Sequence, residues 1–218
     1  MTGWNFAEVT LARHGETEWN RIRRRQGQLD SPLTKEGLAG AARMAEALIG
    51  IGADGIFCSP LGRARTTADI IGRRLGLPVT VVDDLSEVHH GSVAGLTNAE
   101  IEARHPGLTD RRRLDKYGFR FPDGESYADT DERARRALTA IADAGARRPL
   151  IVSHEMIGRM LIRNLLDLSP AEALGWNHPH TIAIRFELPQ GRVSGLDVSG
   201  AQLRFSGRGW KQFEDSPR

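Results

Sequence analysis

Residues 9–20 read VTLARHGETEWN, an apolar run that stops abruptly at Arg13-His14-Gly15-Glu16. Val9 to Ala12 make a short buried strand. A strand end carrying a cation, an imidazole and a glycine is either a packed turn or the floor of an anion site, and the rest of the chain decides between the two. Residues 34–49 place apolar side chains at Leu38, Ala41, Ala42, Ala45, Leu48 and Ile49, which is helical spacing, with Thr34 as the N-cap. Residues 55–58 (GIFC) read as a second buried strand, and 62–75 as a second helix ended by Gly76 and Pro78. Residues 79–82 are a third strand, too apolar for an edge exposed on both faces.

From about 85 to 126 the pattern loosens. Glycines, prolines and a basic cluster (Arg111, Arg112, Arg113, Lys116, Arg120) surround a single short helical stretch at 98–104. A long helix over 127–144 follows, then a strand at 150–152, a helix at 156–166 and a strand at 181–188. The tail from Ser206 is polar, contains Gly and Pro, and is expected to be loosely held. Strands alternating with helices imply right-handed crossovers. The expected fold is therefore an α/β three-layer sandwich with a mostly parallel central sheet. A small cap excursion, about 88–126, lies over the carboxyl ends of the strands, and 1–218 reads as a single domain.

At 218 residues, 39% hydrophobic and 27% charged, the chain is ordinary for a globular protein. A formal charge of +2 is too small an excess to predict a nucleic-acid partner. The single cysteine, Cys58, rules out an intrachain disulfide and sits in a strand as a structural thiol. No apolar run approaches the ~18 residues of a membrane span, and the N-terminus lacks the pattern of a signal peptide. A soluble cytoplasmic protein without a membrane partner is expected; a homodimer is compatible with the sequence.

Ligands of open α/β sheets bind beyond the carboxyl ends of the strands. Arg13-His14, Ser59-Pro60, Leu85-Ser86-Glu87 and Ser153-His154 each follow a strand and converge on one rim. Arginine offers a planar fork matched to phosphate oxygens, and Gly15 permits close backbone approach. The turn at 16–20 opens a helix whose N–H groups can face an anion. An unprotonated imidazole can attack phosphorus, and a glutamate on the leaving-group side can donate a proton.

These stretches resemble the histidine phosphatase superfamily, phosphoglycerate mutase-like branch. LARHGET (11–17) is similar to its signature, and NRIRRRQG (20–27) with DSPLT (30–34) to the segment that follows. SPLGRARTTA (59–68) resembles the SxLxRAxxTA block. Leu85 to Glu87 with Gly91 and Gly95 resembles LxExxxGxxxG, DGES (123–126) the GES element, and IVSH (151–154) the strand bearing the second histidine. The blocks run in family order over residues 9–159.

The resemblance implies His14 as the nucleophile that becomes phosphohistidine. It implies Arg13, Arg63 and His154 as holders of the phosphoryl oxygens, with Asn20 assisting and Arg24 reaching the substrate. Glu87 would be the proton donor to the leaving oxygen and the activator of water; Asp83, Asp84 and Glu125 compete with it only as solvated loop acids. No metal and no cofactor is implied, because arginines and a protonated imidazole supply the positive charge. Metal binding by the adjacent His89 and His90 is disfavoured, since strand-like neighbours point apart. His178 and His180 read as cap packing or solvent-facing, and Arg65 as a surface residue.

Two departures stand out. Glu155 follows His154 where the family usually has glycine, which would weaken phosphate binding, raise the His154 pKa, or point away. Val93-Ala94 replaces a bulkier aromatic–acid pair. The expected activity is hydrolysis of small phosphorylated metabolites. A mutase is the runner-up, since Arg111 to Arg113 can hold a second acidic group, although the excursion is short for a mutase. A catalytically inactive phospho-ligand-binding protein would lack a core residue, and none is missing.

Overall fold

The computed structural model describes residues 3–188 and 190–205, together with the backbone of 210–212. Its centre is a sheet of eight strands in the order β3-β2-β4-β1-β5-β6-β7-β8. The strands are β1 (Glu8–Arg13), β2 (Gly55–Cys58), β3 (Val79–Val81), β4 (Pro149–Ser153), β5 (Ile182–Glu187), β6 (Arg192–Asp197), β7 (Gln202–Phe205) and β8 (Trp210–Gln212). Only β3, β2, β4 and β1 are parallel; β5 pairs antiparallel with β1, and β6 to β8 continue as an antiparallel meander. The sheet is therefore mixed, which corrects the expectation of a mostly parallel one. β3 is also an edge strand, with Val79 and Val81 only half-buried, contrary to its apolar reading. The loose-tail expectation falls mostly outside the described residues, and 210–212 within it form β8.

Alternating side chains on the parallel strands feed two cores. Leu11, Phe57 and Ile151 pack with Leu138 and Ile141 of α6 (Tyr127–Asp143) and Leu161 of α7 (Glu155–Leu166). Ala12, Ile56, Cys58, Leu150 and Val152 pack with Met44 and Leu48 at α2 (Lys35–Ala47) and with Ala68 and Ile71 of α3 (Gly62–Leu75). Period-two alternation thus covers both faces with helices and makes the three layers. Helix boundaries follow their caps: Thr34 accepts the Gly37 N–H, and Gly76 ends α3 at φ 69°.

After β3 the chain makes two 3₁₀ turns, then α4 (Asn98–Arg104) and α5 (Leu108–Leu114), around their own cluster of Val88, Val93, Leu96, Ile101, Leu108 and Phe121. The expected excursion is present, but it holds a second α-helix that an arginine run concealed. Short helices α1 (Glu18–Arg21) and α8 (Pro170–Leu174) complete the set. Among the described residues no helix is long and apolar enough to cross a membrane.

Candidate active site

β1 ends in the middle of the sheet, and His14 follows it directly, 3% exposed. Its main chain is fixed from three sides. His14 N–H bonds Ser153 O of β4, Gly15 N–H bonds Thr67 Oγ1 of α3, and Gly15 packs on Gly37 of α2. A Cβ on Gly15 would lie 2.5 Å from Gly37 O, and one on Gly37 would lie 2.0 Å from Glu16 O. The close approach that Gly15 permits is therefore to a helix backbone.

The ring of His14 has a determined tautomer. Nδ1 lies 2.7 Å from Gly15 O, and a carbonyl only accepts, so Nδ1 carries the proton. Arg63 Nε, a donor only, points at Nε2 from 3.3 Å, so Nε2 is the unprotonated nitrogen and its lone pair faces Arg63. Burial, then the charges of His154, Arg13 and Arg63, push the His14 pKa well below the ordinary value. His14 is a neutral imidazole at physiological pH with its free nitrogen beside a guanidinium.

Arg63, near the start of α3, is locked in place: Nη1 bonds Leu29 O and Asp30 Oδ1, and Nη2 bonds Gly27 O at 2.7 Å. His154 stands at the N-cap of α7, fully buried, its ring 5.1 Å from that of His14 and its Nε2 2.8 Å from Ser59 Oγ. Its Nδ1 has no hydrogen-bond partner among the described residues. Burial and then Arg63 and Arg13 hold its pKa well below the ordinary value, so the imidazole expected to be protonated is neutral here. The Glu155 carboxylate is not among the causes of that shift; it faces Arg13 instead.

Glu87 reaches the same place from the loop after β3. One carboxylate oxygen accepts the N–H groups of Val88 and Ile157, and the other that of Met156, so it caps α7 where the helix dipole is positive. Arg133 of α6 clamps the carbonyls of Asp84, Ser86 and Glu87. The competing acids are spent elsewhere: Glu125 on Arg133 and Asp84 on Arg136. Asn20 Oδ1 accepts from the Thr17 N–H and hydroxyl in a capping box, which leaves the Asn20 amide N–H groups for a ligand.

Arg13, His14, Asn20, Arg24, Arg63 and Glu87 line a cavity of about 140 Å³, together with Arg25, Gln26, His90, Glu155 and Met156. His154 lies against it through His14. Arg24 reaches the wall but pairs there with Glu100 and Gly95 O of the cap. A larger cavity of about 590 Å³, lined by Trp4, Phe6, Leu165 and Leu188 with Asn5, Arg147 and Asp167 among others, shares none of these residues.

The remaining expectations sort by burial. His89 is exposed while His90 is buried, its Nε2 on Met156 Sδ and its pKa pushed down to about 3 by burial, so the two do not converge on a metal. Of the arginine trio only Arg112 turns inward, over the Phe121 ring; Arg113 pairs with Asp110 on the surface. Arg65 is exposed. Cys58 is fully buried with its pKa raised to about 11 by burial, an inert thiol.

His178 and His180 were read as cap packing or solvent, and both belong to the floor. His180 Nδ1–H donates to His14 O at 2.6 Å, and His178 O accepts from Arg13. The reason is topological: β5 runs antiparallel to β1, so its beginning, not its end, arrives at the rim. The His-Pro-His stretch just before a strand was the available signal.

The profile of the histidine phosphatase superfamily (branch 1) matches residues 9–197. A protein of Salmonella arizonae named probable phosphoglycerate mutase GpmB is 35% identical over 162 residues, covering 74% of this chain and 75% of its own. Its namesake in Yersinia enterocolitica is 38% identical over 169 residues, covering 75% and 76%. The structure of a mycobacterial glucosyl-3-phosphoglycerate phosphatase in complex with VO3 superposes with a TM-score of 0.76 at 30% identity, covering 86% of this chain and 96% of that one. The alpha-ribazole phosphatase of Shigella flexneri shares the fold, with a TM-score of 0.76 at 22% identity over 85% of this chain and 93% of that one.

Proposed function

Since this chain belongs to the histidine phosphatase superfamily, branch 1, we propose that it is a metal-independent phosphomonoesterase of small phosphorylated metabolites, working through a phosphohistidine. One observation carries the reading. A neutral, Nδ1-protonated His14 sets its unprotonated Nε2, against Arg63 Nε, at a cavity lined by Arg13, Arg63 and Glu87.

In the first half-reaction Nε2 attacks phosphorus in line, the bond to the leaving oxygen breaks, and Glu87 gives that oxygen a proton. In the second, Glu87 takes a proton from water, the water oxygen bonds phosphorus and the P–N bond breaks. Charge on the transferring group is met by Arg13 and Arg63, with the Asn20 amide assisting and Arg24 at the wall; these cations do the work a metal does in other phosphoryl transferases. His154, neutral at rest, hydrogen-bonds the phosphoryl group once it takes up a proton from the arriving monoester.

A cavity of about 140 Å³ is below the roughly 300–1,000 Å³ of drug-sized sites and suits a phosphoryl group with a small leaving group. A cytoplasmic setting belongs to the same reading, supported by such substrates and by a single cysteine that is buried. So does the lack of a nucleic-acid partner, supported by the formal charge of +2.

The names of the enterobacterial relatives favour a mutase as the second reading. A mutase must keep water from the phosphohistidine until a second hydroxyl arrives, and the cap here offers only two seven-residue helices. The test is phosphate release from a panel of phosphomonoesters in EDTA, for wild type and His14→Ala, with 3-phosphoglycerate followed for both phosphate and isomer. Release by wild type alone supports the phosphatase; isomer without phosphate supports the mutase.

A further inference from the structure

Two carboxylates line the cavity, Glu87 and Glu155, and the chemistry above uses only the first. Glu155 opens α7 beside His154 and is 31% exposed at its side chain. One oxygen lies 3.0 Å from Arg13 Nη1 and the other 2.6 Å from Arg159 Nη2. Arg159 is itself fixed, by Trp176 O at 2.8 Å and the Tyr127 hydroxyl at 2.9 Å. Arg13 is nearly buried; its head otherwise donates to His178 O, and its Nε has no partner among the described residues. Among the described residues Glu155 is thus the only acid paired with the arginine that the phosphoryl group needs.

We propose that Glu155 is an internal counter-ion that occupies Arg13 between turnovers and sets the pocket's affinity for phosphate. A buried guanidinium without an anion is costly, and Glu155 supplies one that needs no ligand. An entering phosphoryl group must share Arg13 with this carboxylate or push it onto Arg159, which already holds its other oxygen. Two anions on one guanidinium repel, so the same contact weakens substrate and product alike and lets inorganic phosphate leave. The inference rests on the phosphatase reading only in calling phosphate the product; its binding consequence stands apart from turnover.

The test is calorimetric titration of inorganic phosphate into wild type, Glu155→Gln and Glu155→Ala at pH 7 in EDTA. Steady-state kinetics on p-nitrophenyl phosphate accompany it. The expected result is at least tenfold tighter phosphate binding in Glu155→Gln, with KM falling in parallel and kcat falling as release slows. Glu155→Ala, which tolerates the helix start well, shifts affinity in the same direction should the glutamine variant fail to fold. If Glu155 merely props Arg13, both variants bind phosphate more weakly, and that result, or unchanged affinity, overturns the proposal. Tighter phosphate binding without any wild-type turnover would sink the phosphatase reading and leave this one standing. Turnover with unchanged affinity would do the reverse.

Discussion

Replacing Gly37 by alanine sets two physical effects against each other within one helix. Propensity alone favours the change: alanine inside a helix is more stable than glycine by roughly 0.5–1 kcal/mol. Packing opposes it, because a Cβ at Gly37 would stand 2.0 Å from Glu16 O and 2.9 Å from Glu16 N, where ordinary contact begins at 3.4 Å. Both obstacles are backbone, so α2 has to retreat from the turn after His14 by about 1.4 Å. Overpacking of this kind costs typically ~1–3 kcal/mol, which exceeds the propensity gain, and a misplacement near 1 Å at a reacting group can cost ~10²-fold in rate.

Gly40, three residues on, is the internal control, since a Cβ there meets nothing closer than Arg43 Nη2 at 3.9 Å. The expected outcome is that Gly40→Ala raises Tm by roughly 1–4 °C and leaves turnover alone. Gly37→Ala lowers Tm by several degrees and cuts kcat toward one-hundredth. Thermal unfolding and initial rates on the two variants read both quantities. If Gly37→Ala is as stable and as active as Gly40→Ala, the Gly15–Gly37 approach does not hold the His14 turn, and the reasoning fails.

Glu87→Gln removes the proposed proton donor while keeping most of the cap on α7; the rate on alkyl phosphates should fall ~10²–10⁴-fold, and much less on p-nitrophenyl phosphate, whose leaving group needs little protonation. Equal losses on both would take Glu87 out of the acid role. Asp30→Asn removes the anion that holds the Arg63 head and should lower kcat/KM on every substrate alike, without changing their rank; a changed rank order would mean Asp30 contacts substrate. Stability should also fall steeply in acid. Burial holds His90 and His178 at about 3 and His180 at about 4, below the ~6.5 of an unfolded histidine. The unfolded chain therefore takes up protons first as pH drops below ~6.5, and each such histidine removes up to ~1.4 kcal/mol per pH unit until its own folded value is reached. Tm measured from pH 8 to 4.5 should be flat above 7 and drop below 6.5; a flat profile throughout would mean these imidazoles are solvated.

Much of the parallel half of the sheet was legible because each element carries a local signal. Thr34 caps α2, Gly76 stops α3, and the runs of β1, β2 and β4 are apolar on both faces, as strands covered by helices must be. The antiparallel half was not, because β6 and β7 mix exposed and buried positions in short runs such as RVSGLD that look like loop. That omission had a chemical consequence: with no direction read for β5, nothing brought His180 to the back of His14. The convergence of Arg13, His14, Arg63, Glu87 and His154 could be read because each stands at or just after a strand end or at a helix start. Glu155 was visible as an oddity, but its meaning was not: Arg159, four residues on along α7, is a local partner, whereas Arg13 meets it only in the folded chain. Arg24 shows the converse, a residue at the wall whose charge the cap's Glu100 already answers.

The central claim is that His14 Nε2 carries the phosphoryl group between the two half-reactions. Wild-type protein quenched in alkali within the first turnover of a phosphomonoester, digested and examined by mass spectrometry, should show phosphate on the peptide that contains His14. That phosphate should be stable to base, labile to acid and absent from His14→Ala. Phosphate on another residue, or a label that survives the His14→Ala substitution, would contradict the account.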